Sequence, residues 1–416
     1  MVCAYRLLFW VALPYIVLRL WRLGRRQPEY RRHAGERFGR YAPAPQQPVV
    51  WIHAVSVGET RATEPLIREL TARYPGHAIL LTHMTPTGRA TGEELYGDRV
   101  SRCYLPYDAP FAVARFLDHF RPRLGIIMET ELWPNLILAC RSRGIPVFLA
   151  NARLSEKSAA GYARVGSLAR ATLEALAGIS AQSDADAERL RALGAPRVEV
   201  TGSVKFDIAP PPEQLALGAE LRARFGADRP VFLAASTRQG EEAIVLDALE
   251  RVEVPGLLAV IVPRHRQRFD EVAAELQGRG IPFQRRSEGA AVAPETRVVL
   301  GDSMGEMFAY YAACDLAFVG GSLLPLGGQN LIEACAVGKP VLVGPHTFNF
   351  EEAARLAVEA GAALRVADGP ALATGVVRLF QDPAQRRAMA EAGAAFAARH
   401  RGATARIMAM LAPALG

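Results

Sequence analysis

The sequence has few cysteines and lacks the common metal and nucleotide fingerprints. Five cysteines are spread over 416 residues without a CxxC pair, and the eight histidines form no HExxH motif. This pattern excludes a disulfide framework and the usual zinc spacing, so we expect a cytosolic body that needs no metal or other cofactor. No GxxxxGK[ST] motif occurs, and no GxGxxG follows the first predicted strand. A P-loop NTPase and a standard NAD site are therefore disfavoured.

The net charge of +7 is confined to the N-terminal segment. Residues 1–40 carry nine arginines and two glutamates, so residues 41–416 sum to zero and nucleic-acid binding is not expected. The apolar run LLFWVALPYIVL, from Leu7 to Leu18, precedes most of these arginines, and no signal-peptidase site follows it. This order predicts a membrane anchor or interfacial helix over residues 1–40, with a basic flank that favours anionic lipid at the cytoplasmic face. The alternative is a buried N-terminal helix.

After Pro48 the sequence alternates short β-rich runs with helical stretches, which predicts parallel βαβ units. The predicted strands form two sets of five: 49–54, 78–84, 124–129, 146–151 and 178–183, then 231–236, 257–263, 298–302, 316–322 and 340–345. Three consecutive prolines separate the sets. We predict an α/β fold of two Rossmann-like doubly wound domains, 41–207 and 231–416, joined by a linker over 208–230. A ligand cleft would lie between them, and the C-terminal helix could pack back on the first domain.

Acidic residues follow two predicted strands of the first domain. Glu59 comes directly after Gly58 at a strand-to-helix turn, where it could serve as a general base or merely complement the helix dipole. Glu129 and Glu131 follow the third predicted strand beside Trp133. Because two carboxylates are costly to bury without partners, a role in the cleft is favoured over a solvated turn.

Three threonines, Thr82, Thr85 and Thr87, surround the end of the second predicted strand. Their hydroxyls and the backbone N–H groups of a helix entrance could hold an anion or a sugar. Equally, Thr87 could be the N-cap of the helix that follows.

The second predicted domain carries the features of a nucleotide site. Four basic residues that follow one strand form a candidate phosphate cluster, against the alternative of a solvated turn: Arg264, His265, Arg266 and Arg268. The glycine-rich stretches GDSMGEMF and VGGSLLPLGGQNLIEA could bring backbone N–H groups close to a phosphate. Asn330 and Glu333 are three residues apart, so both would face one side of a helix. With the candidate base, these features predict a sugar-nucleotide-dependent glycosyltransferase of the GT-B class.

Nine short motifs resemble, in order and over almost the whole chain, those of the bacterial 3-deoxy-D-manno-octulosonic acid (Kdo) transferases. The motifs are HAVSVGE, TPTG, METELWPN, NARLSEKS, GSVKFD, PRH, MGEM, GGS and GGQNLIEA. The resemblance implies an inverting transfer of Kdo from CMP-Kdo to the lipid A precursor, lipid IVA, in lipopolysaccharide core biosynthesis. It also implies a location on the cytoplasmic side of the inner membrane.

The resemblance further implies the roles of individual residues. Glu59 would be the catalytic base, and Glu129 and Lys205 would assist the transition state. The residues implied to hold CMP lie in three motifs of the second domain: Pro263, Arg264, Gly305, Glu306, Met307, Asn330, Leu331, Ile332 and Glu333.

The chain departs from the family pattern at a few positions. His83 and Met84 stand where threonines are commoner, and GSVKFD replaces the commoner GNxKFD, while Lys205 and Asp207 remain in place. Two alternatives stay open. Another GT-B enzyme that uses a UDP-sugar would be distinguished by competition between CMP and UDP. A non-catalytic, membrane-bound nucleotide-binding scaffold would release no CMP.

Overall fold

The computed structural model describes the backbone of residues 2–416 and the side chains from residue 4 onward. Met1 and the side chain of Cys3, which belong to the predicted anchor, lie outside the described residues. The chain forms two compact units. Unit 1 runs to Asp207 and includes Gly402–Gly416, and unit 2 is Ile208–Arg401.

Unit 1 is built on a parallel sheet of seven strands. They are β1 Val49–His53, β2 Ala78–His83, β3 Ser101–Tyr104, β4 Leu124–Met128, β5 Val147–Ala152, β6 Gly178–Ala181 and β7 Val198–Val200. Their spatial order is β3-β2-β1-β4-β5-β6-β7, so the strand order reverses between the neighbours β1 and β4. Both faces are covered: Trp51 of β1 packs into one apolar core and Ile52 into the other. Ligands of open α/β sheets bind at the carboxyl ends of strands beside such a reversal.

The helices of unit 1 connect these strands. They are α1 Val2–Arg26, α2 Val57–Ala62, α3 Glu64–Arg73, α4 Pro86–Tyr96, α5 Pro110–Phe120, α6 Pro134–Ser142, α7 Glu156–Ala163, α8 Gly166–Glu174 and α9 Asp184–Ala192. Proline occupies the first helical position of α4, α5 and α6, where its fixed φ suits the helix and its missing N–H costs nothing. Short 3₁₀ segments lie at Ala34–Phe38 and Val204–Phe206.

Unit 2 contains a second parallel seven-stranded sheet. Its strands are β8 Val231–Thr237, β9 Leu258–Pro263, β10 Phe283–Arg285, β11 Val298–Leu300, β12 Leu316–Val319, β13 Val341–Val343 and β14 Ala363–Arg365. The order is β10-β11-β9-β8-β12-β13-β14, which reverses between β8 and β12. Its helices are α10 Pro212–Phe225, α11 Glu241–Leu249, α12 Phe269–Gly278, α13 Met307–Ala313, α14 Ile332–Ala336, α15 Glu351–Glu359, α16 Gly369–Gln381 and α17 Pro383–His400.

The last helix, α18 Ala403–Leu415, belongs to unit 1. Asp207 fixes its beginning, because the carboxylate accepts the backbone N–H groups of Gly402 at 2.5 Å, of Ala403 at 3.2 Å and of Thr404. Apolar side chains of α18, including Ile407, complete the core on the Ile52 face of the sheet. The last residues of the chain therefore stabilise the first sheet.

The predicted α/β class with two parallel sheets is confirmed. Four strands escaped prediction, namely β3, β7, β10 and β14, and each is an edge strand. Helix α10 occupies most of the stretch that we expected to be a linker, since the last of the three prolines is its first residue. At the N-terminus, residues 4–26 form one helix whose length and composition would allow it to cross a membrane. Its large apolar side chains are mostly exposed, which disagrees with a buried N-terminal helix.

Candidate active site

Glu59 is held at the start of α2, directly after β1. Ser56 is the N-cap: its hydroxyl accepts the backbone N–H of Glu59 at 3.3 Å and donates to Glu59 Oε1 at 2.9 Å. The other carboxylate oxygen, Oε2, accepts the N–H of Val55 at 2.9 Å. Glu59 therefore lies in the first turn of α2, where it can complement the helix dipole as expected, and its hydrogen bonds also fix the carboxylate in one orientation.

The surroundings of Glu59 suit a proton acceptor. Burial raises the pKa of Glu59 to about 7, and the hydrogen bonds from Val55 and Ser56 oppose that rise. The negative charges of Glu129 and Glu131, in the loop after the neighbouring strand β4, raise the pKa of Glu59 further. A carboxylate with a pKa near neutrality is well matched to general base catalysis at physiological pH.

Glu129 follows β4, the neighbour of β1 at the reversal of strand order. Its backbone has a φ of 59°, in the left-handed region that disfavours side chains other than those of glycine, asparagine and aspartate. Oε1 of Glu129 lies 3.9 Å from Nζ of Lys205. Strained backbone of this kind clusters at functional sites, where the surrounding structure enforces it.

The backbone next to Lys205 is positioned by Asn151 of β5. Asn151 has a φ of 55°, and its side-chain Oδ1 accepts the backbone N–H of Val204 at 3.1 Å. Ser203, the N-cap of the 3₁₀ segment, accepts the N–H of Lys205 at 3.4 Å. Asn151 is fully buried, so this contact fixes the backbone beside Lys205.

Glu131 and Trp133 lie in the same loop as Glu129. Burial raises the pKa of Glu131, and the Trp133 indole beside it acts in the opposite direction. The indole also packs edge-on against His53 at the end of β1, with 5.9 Å between ring centroids. This aromatic contact connects the loops that carry Glu59 and Glu129.

Two of the three threonines around the end of β2 make contacts inside the fold. Thr85, not Thr87, is the N-cap of α4, since its Oγ1 accepts the N–H of Gly88 at 3.1 Å. Thr82 is buried and accepts the indole N–H of Trp51 at 2.8 Å. Thr87 is exposed, and its hydroxyl donates to Oγ1 of Thr85 at 3.4 Å.

His83, one of the departures from the family pattern, is also internal. It is completely buried, and its Nδ1 lies 2.9 Å from the carbonyl oxygen of Ala54. Burial lowers the pKa of His83 to about 4, so the ring is neutral at pH 7. The neighbouring Met84 accepts a hydrogen bond from Arg37 through its carbonyl oxygen, at 3.0 Å. Both residues therefore support the β2 loop from inside.

In unit 2 the predicted phosphate cluster divides into two parts. Arg268 pairs with the buried Glu242 at 3.1 Å and also with Glu271, so it stabilises the fold. Arg264 donates through Nε to Gln329 Oε1 at 3.2 Å, which joins the loop after β9 to the glycine-rich loop after β12. Burial lowers the pKa of His265, and the charges of Arg238 and Arg264 lower it further. Arg238, which the sequence reasoning missed, lies beside Arg264, because the backbone N–H of Arg264 donates to the carbonyl oxygen of Thr237, the residue before Arg238, at 2.9 Å.

The MGEM motif and the residues before it form a polar network. Glu306 accepts from Ser303 Oγ at 2.6 Å and lies 3.3 Å from Nη2 of Arg286. Gly305 has a φ of 80°, a conformation that favours glycine. Met307 then begins α13. Glu306 is therefore oriented by its own neighbours.

The two glycine-rich loops after β12 differ in function. The N–H groups of Gly321, Ser322 and Leu323 all donate to the buried carboxylate of Glu241, at 2.5 to 2.9 Å. These three amides are hydrogen-bonded inside the fold and do not face a phosphate site, contrary to the expectation that this loop would hold phosphate. In the second loop, Asn330 Nδ2 donates to Glu333 Oε1 at 3.1 Å.

Comparison with known proteins shows to which family the chain belongs. Residues 32–208 match the family model described as 3-deoxy-D-manno-octulosonic-acid transferase (kdotransferase). The 3-deoxy-D-manno-octulosonic acid transferase of Bordetella pertussis is 48% identical over 97% of this chain and 97% of its own length. The corresponding Haemophilus influenzae transferase is 39% identical over 99% and 98%. This chain belongs to the 3-deoxy-D-manno-octulosonic acid transferase family.

Membership of the Kdo transferase family confirms the predicted enzyme class, a glycosyltransferase. Among solved structures, UDP-GlcNAc 2-epimerase from Neisseria meningitidis superposes with a TM-score of 0.59 at 18% identity, covering 88% of this chain and 100% of that one. At this identity the likeness describes the fold alone, and it agrees with the predicted GT-B architecture.

Within this Kdo transferase family member, the predicted residues fall into two groups. In unit 1 the structure brings together Glu59, Glu129, Glu131 and Lys205 at the carboxyl ends of the strands. In unit 2 it brings together Arg264, the previously missed Arg238, and Gln329. In the part of the chain that the structure describes, no cluster of His, Cys, Asp and Glu is arranged to hold a metal ion.

Proposed function

We propose that the protein transfers Kdo from CMP-Kdo to the lipid A precursor, with inversion at the anomeric carbon. The observation that carries the proposal is the carboxylate of Glu59, which is fixed by two hydrogen bonds and has a pKa of about 7. Family membership supports Kdo as the transferred sugar, because the relatives are named for Kdo transfer, while CMP-Kdo as the donor and the lipid A precursor as the acceptor follow from the motif resemblance.

Glu59 is the general base of the proposed reaction. The acceptor hydroxyl oxygen forms a bond to the anomeric carbon while the bond from that carbon to the phosphate oxygen of CMP breaks. The hydroxyl proton passes to Glu59, and the electron pair of the broken bond leaves on the phosphate. Because Ser56 and Val55 hold both carboxylate oxygens, little reorganisation is needed when the proton arrives.

Glu129 and Lys205 stabilise the charges of the transition state. The Lys205 ammonium lies 3.9 Å from Glu129 Oε1 and brings a positive charge close to this group of acids. It can interact with the carboxylate of Kdo or with the departing phosphate, while Glu129 keeps the ammonium oriented. Glu131 adds negative charge that keeps the pKa of Glu59 high.

Unit 2 binds CMP. Arg264 and Arg238 supply positive charge for the phosphate, which gains charge as CMP departs. Glu306 and Glu333 are oriented carboxylates suited to accept hydrogen bonds from ribose hydroxyls or from the cytosine amino group. Pro263, Gly305, Met307, Leu331 and Ile332 form the backbone around these groups.

The enzyme acts at the cytoplasmic face of the inner membrane. Apolar side chains on α1 are exposed, and residues 1–40 carry nine arginines that favour anionic lipid. An acceptor with acyl chains is presented in that membrane.

The test is mass spectrometry of lipid IVA incubated with purified protein and CMP-Kdo. We expect the acceptor mass to rise by one or more Kdo residues, with release of CMP. Inhibition by CMP and not by UDP is expected in the same assay. An unchanged acceptor, or transfer from a UDP-sugar in place of CMP-Kdo, would overturn the proposal.

A further inference from the structure

Helix α1 has two different faces along its whole length. Side chains at a spacing of three or four residues are shielded by the protein: Tyr5, Phe9, Leu13, Ile16, Leu20 and Leu23. The opposite face is apolar and exposed, with Leu7 at 68%, Val11 at 72% and Tyr15 at 64% of full exposure. Such a spacing places the shielded side chains on one face of the helix.

The N-terminal end of α1 is hydrogen-bonded to unit 1. Tyr5 Oη donates to Asp108 Oδ2 at 2.9 Å, and Arg6 Nε donates to Asn135 Oδ1 at 3.1 Å. One turn later Trp10 stacks on Phe111, with ring centroids 5.4 Å apart. Asp108 is buried, so its bond with Tyr5 is shielded from water.

The C-terminal end of α1 contacts the same unit. Leu20 is 8% exposed, and Gly24 packs against the Arg31 side chain without room for a Cβ. Burial raises the pKa of Tyr107, and the charges of Arg37 and of Arg19 on α1 oppose that rise. Tyr107 precedes Asp108, so the helix crosses the segment that leads into α5.

These contacts conflict with a helix that crosses the bilayer. At a rise of about 1.5 Å per residue, Tyr5 and the arginines that end α1 are about 30 Å apart, which is the thickness of the hydrocarbon core. In a spanning helix, Tyr5 and Arg6 would therefore lie on the far side of the membrane from the globular body. They touch Asp108 and Asn135 of that body instead.

We propose that α1 lies flat in the membrane interface, with its shielded face on unit 1 and its exposed apolar face in the acyl chains of an anionic leaflet. The charge supports this occupant, since Arg19, Arg22, Arg25 and Arg26 are exposed beside the apolar face and can reach lipid phosphates. The proposal rests on the membrane association proposed above and adds its geometry.

The same contacts connect α1 to the loop after β4, which carries Glu129 and Trp133 and is called the catalytic loop below. Asp108 also accepts the backbone N–H groups of Asn135 and Leu136, both at 2.9 Å. These residues form the first turn of α6, directly after the loop that carries Glu129 and Trp133. Lipid binding by α1 thus fixes the height of the catalytic loop above the bilayer.

The test uses nitroxide labels on the full-length protein bound to phosphatidylglycerol vesicles. Labels are placed singly on the exposed face at Leu8, Val11, Tyr15 and Leu18, in a background in which Cys3 is serine. Depth is measured from collision rates with oxygen and with a nickel chelate. We expect four similar, shallow depths of about 5 to 10 Å. A profile that is deepest at the middle positions and shallow at both ends would overturn the proposal.

A second measurement introduces a charge on the exposed apolar face of α1. Val11→Asp should weaken binding to phosphatidylglycerol vesicles about tenfold, since it places a charge where an apolar group was buried in lipid. The control variant Leu215→Asp, at an exposed apolar position in unit 2 remote from α1 in sequence, controls for an unspecific effect of one added charge. Equal binding by wild type and Val11→Asp would contradict the proposal. Neither assay contains CMP-Kdo, so failed Kdo transfer and failed flat binding are separate results.

Discussion

Nζ of Lys205 lies 3.9 Å from Oε1 of Glu129, although the two residues belong to distant parts of unit 1. Lys205 is one of only three lysines in a chain with 49 basic residues. The distance is longer than that of a tight hydrogen-bonded ion pair, so the attraction between the ammonium and Glu129 is chiefly electrostatic.

Replacing Lys205 by alanine should lower kcat about a hundredfold with a smaller change in KM, because the ammonium stabilises charge that develops in the transition state. Lys205→Arg should retain part of the activity. The exposed Lys157→Ala is the matched control and should behave as wild type. Steady-state kinetics with both substrates checks the result.

A double variant separates a chemical role of Lys205 from simple charge neutralisation. If Lys205 served only to neutralise Glu129, Lys205→Ala combined with Glu129→Gln would recover activity. We expect no recovery. Wild-type kcat in either Lys205→Ala or the double variant would refute the assignment.

Activity should depend on the ionisation of Glu59. Because its pKa is raised to about 7, kcat should fall as the pH drops through about 7, where the base becomes protonated. Glu59→Gln should lose transfer and retain CMP binding, while the exposed Glu64→Gln on the next helix should leave the profile unchanged. An unchanged pH profile in Glu59→Gln would exclude this residue as the base.

The raised pKa of Glu59 also affects stability. Its folded-state pKa exceeds the ordinary value of 4.5, so the folded chain binds the proton more tightly than the unfolded chain. This contribution is present at acidic pH and is lost as the pH rises from about 4.5 to about 7. Urea unfolding at about pH 5 and about pH 8 should therefore show Glu59→Gln gaining stability relative to wild type at the higher pH.

The sequence allowed ten of the fourteen strands to be predicted, and the four missing ones share a physical cause. Central strands of a parallel sheet are buried on both faces and read as continuous apolar runs. Edge strands have one free side and need less apolar sequence: β7 is the exposed VEV, and β10 is the half-buried FQR. Such segments do not differ from turns in composition.

The acidic residues of the candidate site could be predicted from the sequence. The backbone conformations of the site and its long-range contacts could not. The acids Glu59 and Glu129 could be identified from their places after apolar runs. The left-handed backbone of Glu129 and Asn151 could not, since neither residue type requires a positive φ. Arg238 was missed because its loop has no motif, and only the pairing of β8 with β9 brings it beside Arg264.

Glu241 should be essential to the stability of unit 2. Its carboxylate accepts the N–H of Arg238 at 3.0 Å as well as the three amides of Gly321 to Leu323, and it is fully buried. Because each unpaired buried N–H costs about 1–3 kcal/mol, Glu241→Ala should lower the free energy of unfolding by about 3 kcal/mol or more. The exposed Glu253→Ala is the control. Hydrogen exchange at residues 321–323 should accelerate in Glu241→Ala only, and unchanged exchange would disprove this function.

Arg238 and Arg264 should both contribute to CMP affinity, whereas Arg266 should not. The backbone N–H of Arg238 is fixed by Glu241, and the guanidinium of Arg264 is oriented by Gln329, so the backbone of Arg238 and the cation of Arg264 are positioned before the nucleotide arrives. A charge-assisted hydrogen bond contributes about 1.5–3 kcal/mol, so either alanine variant should weaken CMP binding about tenfold or more in calorimetry. Arg266 is exposed in the same basic stretch, and Arg266→Ala controls for loss of one positive charge. Equal weakening in all three variants would mean that only net charge matters, and the assignment of Arg238 would fail.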